Sequence, residues 1–260
     1  MTDTSDGPKM TDQTAPQYLT TSRGRRLAYR KTEGTGPTIV FLGGFKSDML
    51  GTKAVDLEAF AKDQGRAYLR FDYSGHGESD GDFLDGCIGD WAEDAEAALD
   101  RLTEGPLVLV GSSMGGWISL LMTRRLPERI AGLVTIAAAP DFTEDSMWAG
   151  FDQAQRTALD MVEQVSLPSD YGEPYIITKK LIEDGRNHLM LRDRIDLPFP
   201  TRFLIGTMDE AVDLSVAYRL LERAEGGDIR LTLVKGKDHR FSDPECMELI
   251  KQAILEVSGS

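Results

Sequence analysis

Seven short apolar or β-branched runs alternate with helical patterns along most of this chain, and that alternation narrows the possible architectures more than any other feature. The runs lie at residues 27–29, 38–42, 67–71, 107–110, 130–137, 202–205 and 229–234. Runs this short, bounded by polar, Gly or Pro residues, read as strands. Strands joined through helices pair in parallel and carry helices on both faces, so an α/β fold on a mostly parallel sheet is expected. Residues 88–102 show the helical period. Ile88, Trp91, Ala95, Ala98, Leu99 and Leu102 form one stripe, while Asp90, Glu93, Asp94, Glu96 and Asp100 fall off it.

The alternation stops between residues 141 and 196. Helical patterns there are broken by Pro168, Gly172, Pro174 and Gly185, with no strand expected among them. The segment reads as a helical cap inserted above the sheet. Its apolar residues Met147, Trp148, Phe151, Met161, Val162, Tyr171 and Tyr175 either pack on the core or roof a pocket. Large pockets are lined mainly by such side chains, so Met147, Trp148 and Phe151 are the candidate substrate contacts. Residues 1–16, rich in Thr, Asp, Ser, Gln and Pro, are expected to form a disordered tail, leaving 17–260 as one domain.

With 29 basic against 43 acidic residues the net charge is −14, which disfavours nucleic acid and anionic membranes as partners. No apolar run approaches the ~18 residues that span a bilayer. The first residues lack the features of a secretory or mitochondrial leader. Cys87 and Cys246 lie far apart without metal-ligand spacing, so both are expected to be free thiols in a reducing cytoplasm.

The chemistry is written where the run 107–110 meets the helical stretch 117–126. Between them stand Gly111, Ser112, Ser113, Met114 and Gly115. A serine at a sharp strand-to-helix turn holds its hydroxyl clear of the sheet edge, and such a turn admits only small neighbours. With 26 glycines in 260 residues the bare pattern has little weight, and its context has to carry the case.

A serine hydroxyl needs an imidazole to take its proton and a carboxylate to hold that imidazole in one tautomer. The turn resembles that of the α/β-hydrolases, in which the acid and then the histidine follow the serine, each at a strand's carboxyl end. Of the three histidines, His76 precedes Ser113 and His188 lies in the insertion, whereas His239 follows the last strand run. His239 is therefore the candidate base, with His76 read as a loop hydrogen-bonder and His188 as a surface residue. Asp209 is the first carboxylate after the run 202–205 and is the candidate acid. Glu210 and Asp213 are its alternatives, as solvated or helix-capping residues, and Asp238 suffers from adjacency to His239.

A developing oxyanion needs amide donors aimed at it in advance. Met114 supplies one. The loop after residues 38–42 begins Gly43, Gly44, Phe45, and its two glycines let Phe45 bring the second amide close.

Several separated motifs now match one family in order. They are Gly43, Gly44, Phe45 with 51–54, the stretch 70–75, the stretch 110–117, and Asp238, His239, Arg240. Together they resemble the mitochondrial abhydrolase-domain-10 type of α/β-hydrolase and its bacterial relatives, from about Arg26 to near the C-terminus. The resemblance implies an α/β-hydrolase fold, Ser113 as nucleophile, Asp209 as acid, His239 as base, and Phe45 and Met114 as oxyanion amides. It also implies hydrolysis of acyl-protein thioesters or of acyl glucuronide esters, with no metal or organic cofactor. Gly43 stands where many α/β-hydrolases carry His, and the insertion matches less well than the core.

The expected activity is hydrolysis of small carboxylic esters or thioesters through an acyl-enzyme. A glucuronide carboxylate would require a cation, and Arg156, Lys179, Lys180 and Arg186 qualify by location, although each also reads as solvated cap surface. Two other functions use the same fold: a non-hydrolytic ligand receptor, and a cofactor-free perhydrolase or carbon–carbon hydrolase.

Overall fold

A computed structural model describes residues 15–167 and 174–259. The expected tail through Thr14, and Pro168, Tyr171 and Gly172 of the insertion, lie outside them. In chain order the elements are β1 (Gln17–Thr20), β2 (Arg26–Thr32), β3 (Thr35–Leu42), α1 (Thr52–Asp63), β4 (Arg66–Phe71), α2 (Ile88–Leu102), β5 (Leu107–Ser112), α3 (Met114–Arg125) and β6 (Ile130–Ile136). The inserted segment follows, with a π-helical turn (Thr143–Trp148), α4 (Gln153–Val162), β7 (Gln164–Leu167), β8 (Tyr175–Thr178) and α5 (Lys179–Gly185). The chain closes with β9 (Ile195–Asp196), β10 (Thr201–Gly206), α6 (Leu214–Arg223), β11 (Ala224–Glu225), β12 (Ile229–Val234) and α7 (Pro244–Val257).

Eight strands form one sheet in the order β1-β2-β4-β3-β5-β6-β10-β12. From β4 to β12 the pairings are parallel, and β1 and β2 add antiparallel at one edge. Successive residues of β3 show why the sheet needs cover on both sides. Ile39 and Phe41 pack with α1 and α7, whereas Val40 and Leu42 pack with α2 and α3. Alternate side chains point to opposite faces, and each fully buried one contributes roughly 1.5–3 kcal/mol.

Helix α2 binds the inserted segment to the sheet. Its stripe is buried through Trp91, Ala95 and Leu99, yet its N-cap residue Cys87 makes no side-chain cap bond. Asp184 of α5 accepts from Gly89 N at 2.7 Å instead, satisfying a first-turn donor from across the interface. Buried Asp141 accepts from Met190 N at 2.7 Å and from Leu191 N at 2.9 Å, which pins the segment's entry to its exit.

The inserted segment corrects one expectation, because β7 and β8 form an antiparallel hairpin where no strand was expected. Each strand has only four residues, and Val165 opposite Ile177 supplies the buried pair. Gln164–Leu167 carries little apolar patterning, whereas Tyr175–Thr178 is a run of β-formers that stands between Pro174 and a helical stretch. Strand β1 escaped notice for the same reason as β7, with Leu19 its one buried residue.

Candidate active site

The turn between β5 and α3 puts Ser113 at φ 54°, ψ −117°. A non-glycine residue there stores on the order of 1–3 kcal/mol of strain. Neighbouring backbone holds it in place. Ser113 N donates to Ile136 O at 2.9 Å, and Ser113 O accepts from Gly116 N at 2.9 Å and from Ala139 N at 3.1 Å. A Cβ on Gly115 would stand 2.0 Å from Leu42 O, so only glycine lets α3 start this close to β3.

Three side chains from three strand ends meet at this turn. His239 Nε2 lies 3.1 Å from Ser113 Oγ, and His239 Nδ1 lies 2.8 Å from Asp209 Oδ2. The other Asp209 oxygen accepts from Ala211 N at 2.9 Å and from Val212 N at 2.8 Å, and the carboxylate is fully buried. An ionised carboxylate only accepts, so the imidazole proton sits on Nδ1 and leaves Nε2 free to accept from the serine hydroxyl. This geometry can move a proton from the hydroxyl during attack and return it to a leaving group.

The alternatives serve elsewhere. Asp213 caps α6 by accepting from Ser215 N at 2.8 Å, Glu210 is exposed, and Asp238 accepts from Phe241 N at 3.3 Å. His188, expected as a surface residue, is half-buried, with its ring 3.5 Å from Asp184 and its carbonyl accepting from Trp117 Nε1 at 2.9 Å.

The loop after β3 lies against the nucleophile, since a Cβ on Gly44 would stand 3.4 Å from Ser113 Cβ. Neither Phe45 N nor Met114 N meets an acceptor among the described residues. Met114 N is also a first-turn donor of α3, where the helix dipole favours negative charge. Strand β4 fixes this loop through Met49. Asp72 Oδ1 accepts from Met49 N at 2.6 Å, and Arg70 Nη1 donates to Met49 O at 2.6 Å. Burial pushes the Asp72 carboxyl up to about 6, against the pull of its bonds from Glu78 N and Met49 N.

The Phe45 ring contacts Phe83, Phe142, Trp91 and Tyr175 at centroid distances of 4.9, 5.7, 5.9 and 6.2 Å. Among the described residues, Phe142 and Tyr175 are thus the insertion's aromatics whose rings meet Phe45 in the loop after β3. Of the candidate contacts, Trp148 pairs with Phe151 at 6.2 Å, and neither makes a ring contact with Phe45. Met147 and Trp148 pack on the main core, and Phe151 is buried within it. The guanidinium groups of Arg156 and Arg186 lie 4.9 and 4.7 Å from the Trp148 ring. Lys179, Lys180 and Arg186 pair with Asp160, Asp90 and Glu144. Among the described residues no three His, Cys, Asp or Glu side chains gather as a metal site would need. Both cysteines are free and buried.

His76, on the loop after β4, is buried among Tyr73, Phe83 and Trp91. Its Nδ1 lies 3.2 Å from Ser74 O, and its Nε2 has no hydrogen-bond partner among the described residues. Burial pulls its pKa down to about 4 from 6.5. A depressed histidine contributes stability that is present above 6.5 and lost as pH falls from there through 4. The difference is worth on the order of 3 kcal/mol. Urea unfolding at pH 7 and pH 4 should therefore show His76→Phe losing about 3 kcal/mol less than the parent on acidification. An identical loss in both proteins would remove His76 as the acid-labile group.

A family model described as the alpha/beta hydrolase fold matches residues 37–175. The mitochondrial palmitoyl-protein thioesterase ABHD10 of Rattus norvegicus is 35% identical over 226 residues, covering 86% of this chain and 76% of that protein. The crystal structure of a protein from Agrobacterium vitis S4 superposes with a TM-score of 0.91 at 37% identity, covering 94% of this chain and 99% of that one. The mouse alpha/beta hydrolase domain-containing protein 10 superposes with a TM-score of 0.87 at 33% identity, covering 94% and 98%. On fold, family match and relatives alike, the chain belongs to the α/β-hydrolase family, in the group of the ABHD10 proteins.

Proposed function

We propose that this protein is a serine hydrolase that cleaves carboxylic esters or thioesters through an acyl-enzyme intermediate. Ser113 Oγ attacks the acyl carbonyl while His239 Nε2 takes the hydroxyl proton. The same proton then goes to the departing alcohol or thiol, and His239 next activates water to release the acid. Asp209 keeps the imidazole in the required tautomer. The amides of Phe45 and Met114 donate to the oxyanion, each worth roughly 3–4 kcal/mol in sites of this type. The supporting observation is the placing of His239 between Ser113 Oγ at 3.1 Å and Asp209 at 2.8 Å.

The thioesterase names of the mammalian relatives put S-acyl thioesters first among the substrates to try, with the acyl chain against the aromatic wall of Phe45, Phe142 and Tyr175. We place the protein in the cytoplasm on its two free thiols, although those relatives are named as mitochondrial. No helix among the described residues is long and apolar enough to cross a membrane.

A fluorophosphonate probe tests the reading directly. It should label the folded protein at one site, mapped by peptide mass spectrometry to Ser113, and pretreatment with the probe should abolish hydrolysis of p-nitrophenyl butyrate. A folded protein that resists the probe would favour a non-hydrolytic receptor.

A further inference from the structure

His239 stands on the least supported platform of the three proposed catalytic residues. Its loop follows β12, the edge strand of the sheet, and Lys235, Gly236, Asp238 and Arg240 are all exposed. Yet a base must be held to within about 0.5 Å, and a 1 Å misplacement can cost about 10²-fold in rate.

Two hydrogen bonds hold the loop from the side of β10, and the packing of Phe241 holds it from below. Lys237 O accepts from Met208 N at 2.9 Å, and Gly236 N donates to Thr207 Oγ1 at 2.9 Å, tying the loop to the turn that carries Asp209. Phe241, at φ 47°, is fully buried in the core under the sheet. A third bond comes from the opposite direction. Lys53 in the first turn of α1 donates from Nζ to Arg240 O at 2.5 Å, across 187 residues of sequence. Its ammonium ends on a backbone carbonyl beside His239 and enters no ion pair among the described residues.

The other end of this tie is fixed as well. Helix α1 begins where the oxyanion loop ends, and both backbone groups of Met49 in that loop are held by Asp72 and Arg70 of the β4 side. Burial pulls the Lys53 ammonium down to about 8, with Asp238 and Cys246 opposing the shift and Arg240 adding to it. The ammonium thus sits in the joint between α1 and the histidine loop, bonded to the loop's backbone.

We propose that Lys53 is a positioning residue for the proposed base: it ties the oxyanion-loop side of the site to the carbonyl next to His239 and so holds the imidazole over Ser113. This rests on the reading of His239 as base. A lysine suits the task because its compact ammonium on a long stem reaches a single carbonyl, and an arginine can reach the same oxygen with one of its N–H groups.

The test compares Lys53→Met, Lys53→Gln and Lys53→Arg with the parent on p-nitrophenyl butyrate, well below each melting temperature. The Met and Gln variants should lose about 10- to 100-fold in kcat with KM within twofold of the parent. Their fluorophosphonate labelling of Ser113 should slow in parallel, because that reaction needs the imidazole but not an acyl pocket. Lys53→Arg should recover most of the rate. If the Met variant fails to fold, the Gln variant, which retains most of the stem, carries the test. Folded variants that melt lower but keep kcat and labelling rate within twofold would make Lys53 a strut and overturn the proposal. A parent protein inert to both ester and probe would instead defeat the hydrolase reading on which it rests.

Discussion

Replacement of Ser113 by alanine is expected to lower the turnover of p-nitrophenyl butyrate by about 10⁴-fold or more while the melting temperature stays where it was. Among the described residues the side chain's hydrogen bond is to His239 Nε2, and the strained turn is held by backbone groups that alanine retains. Residual rate should come from the amides of Phe45 and Met114 and from binding. Ser113→Gly separates strain from chemistry. It too should be inactive, but without a Cβ at φ 54° it should gain roughly 1–3 kcal/mol in urea unfolding. Parental turnover in the alanine variant would leave Ser113 with no catalytic part.

The fold was readable where a strand is buried on both faces. Residues such as Val108, Leu109 and Val110 of β5 are apolar without interruption because helices cover both sides, and that run marks a strand on its own. The hairpin of β7 and β8 has one buried position per strand, so β7 reads as a loop, although Tyr175–Thr178 of β8 is a run of β-formers. The meeting of Ser113, Asp209 and His239 was readable for a topological reason. In a parallel sheet every strand ends at the same edge, so the order of residues after successive strands places them together without knowledge of any contact.

What sequence order could not supply was support from elements distant in the chain. Lys53 lies in the first turn of α1, where a lysine reads as solvated, and nothing local points to Arg240. Asp72 belongs to the stretch 70–75 among the matching motifs, yet its bond from Met49 N reaches across 23 residues of sequence. Met147, Trp148 and Phe151 are apolar groups of the insertion, and such side chains fill a core as readily as they roof a pocket. The insertion rings that meet Phe45 are those of Phe142 and Tyr175.

Asp209→Asn should reduce kcat by roughly 10⁴-fold, and it should do so without loosening the site, which makes it the sharpest test of the acid's role. The two oxygens of Asp209 do separate work. One accepts from Ala211 N and Val212 N and builds the turn after β10, while the other accepts the Nδ1 proton of His239. Asparagine can keep its oxygen toward the turn, so stability should change little. Its amide would then face Nδ1 as a donor, and Nδ1 would have to accept. The imidazole proton would move to Nε2, against Ser113 Oγ, where a base must have a lone pair. The serine would keep its neighbour at the same distance and lose its proton acceptor. KM should therefore hold within severalfold while kcat collapses, and fluorophosphonate labelling should slow with it. Should the asparagine variant turn over within tenfold of the parent, the carboxylate at this position would not set the tautomer, and the 2.8 Å contact would be structural alone.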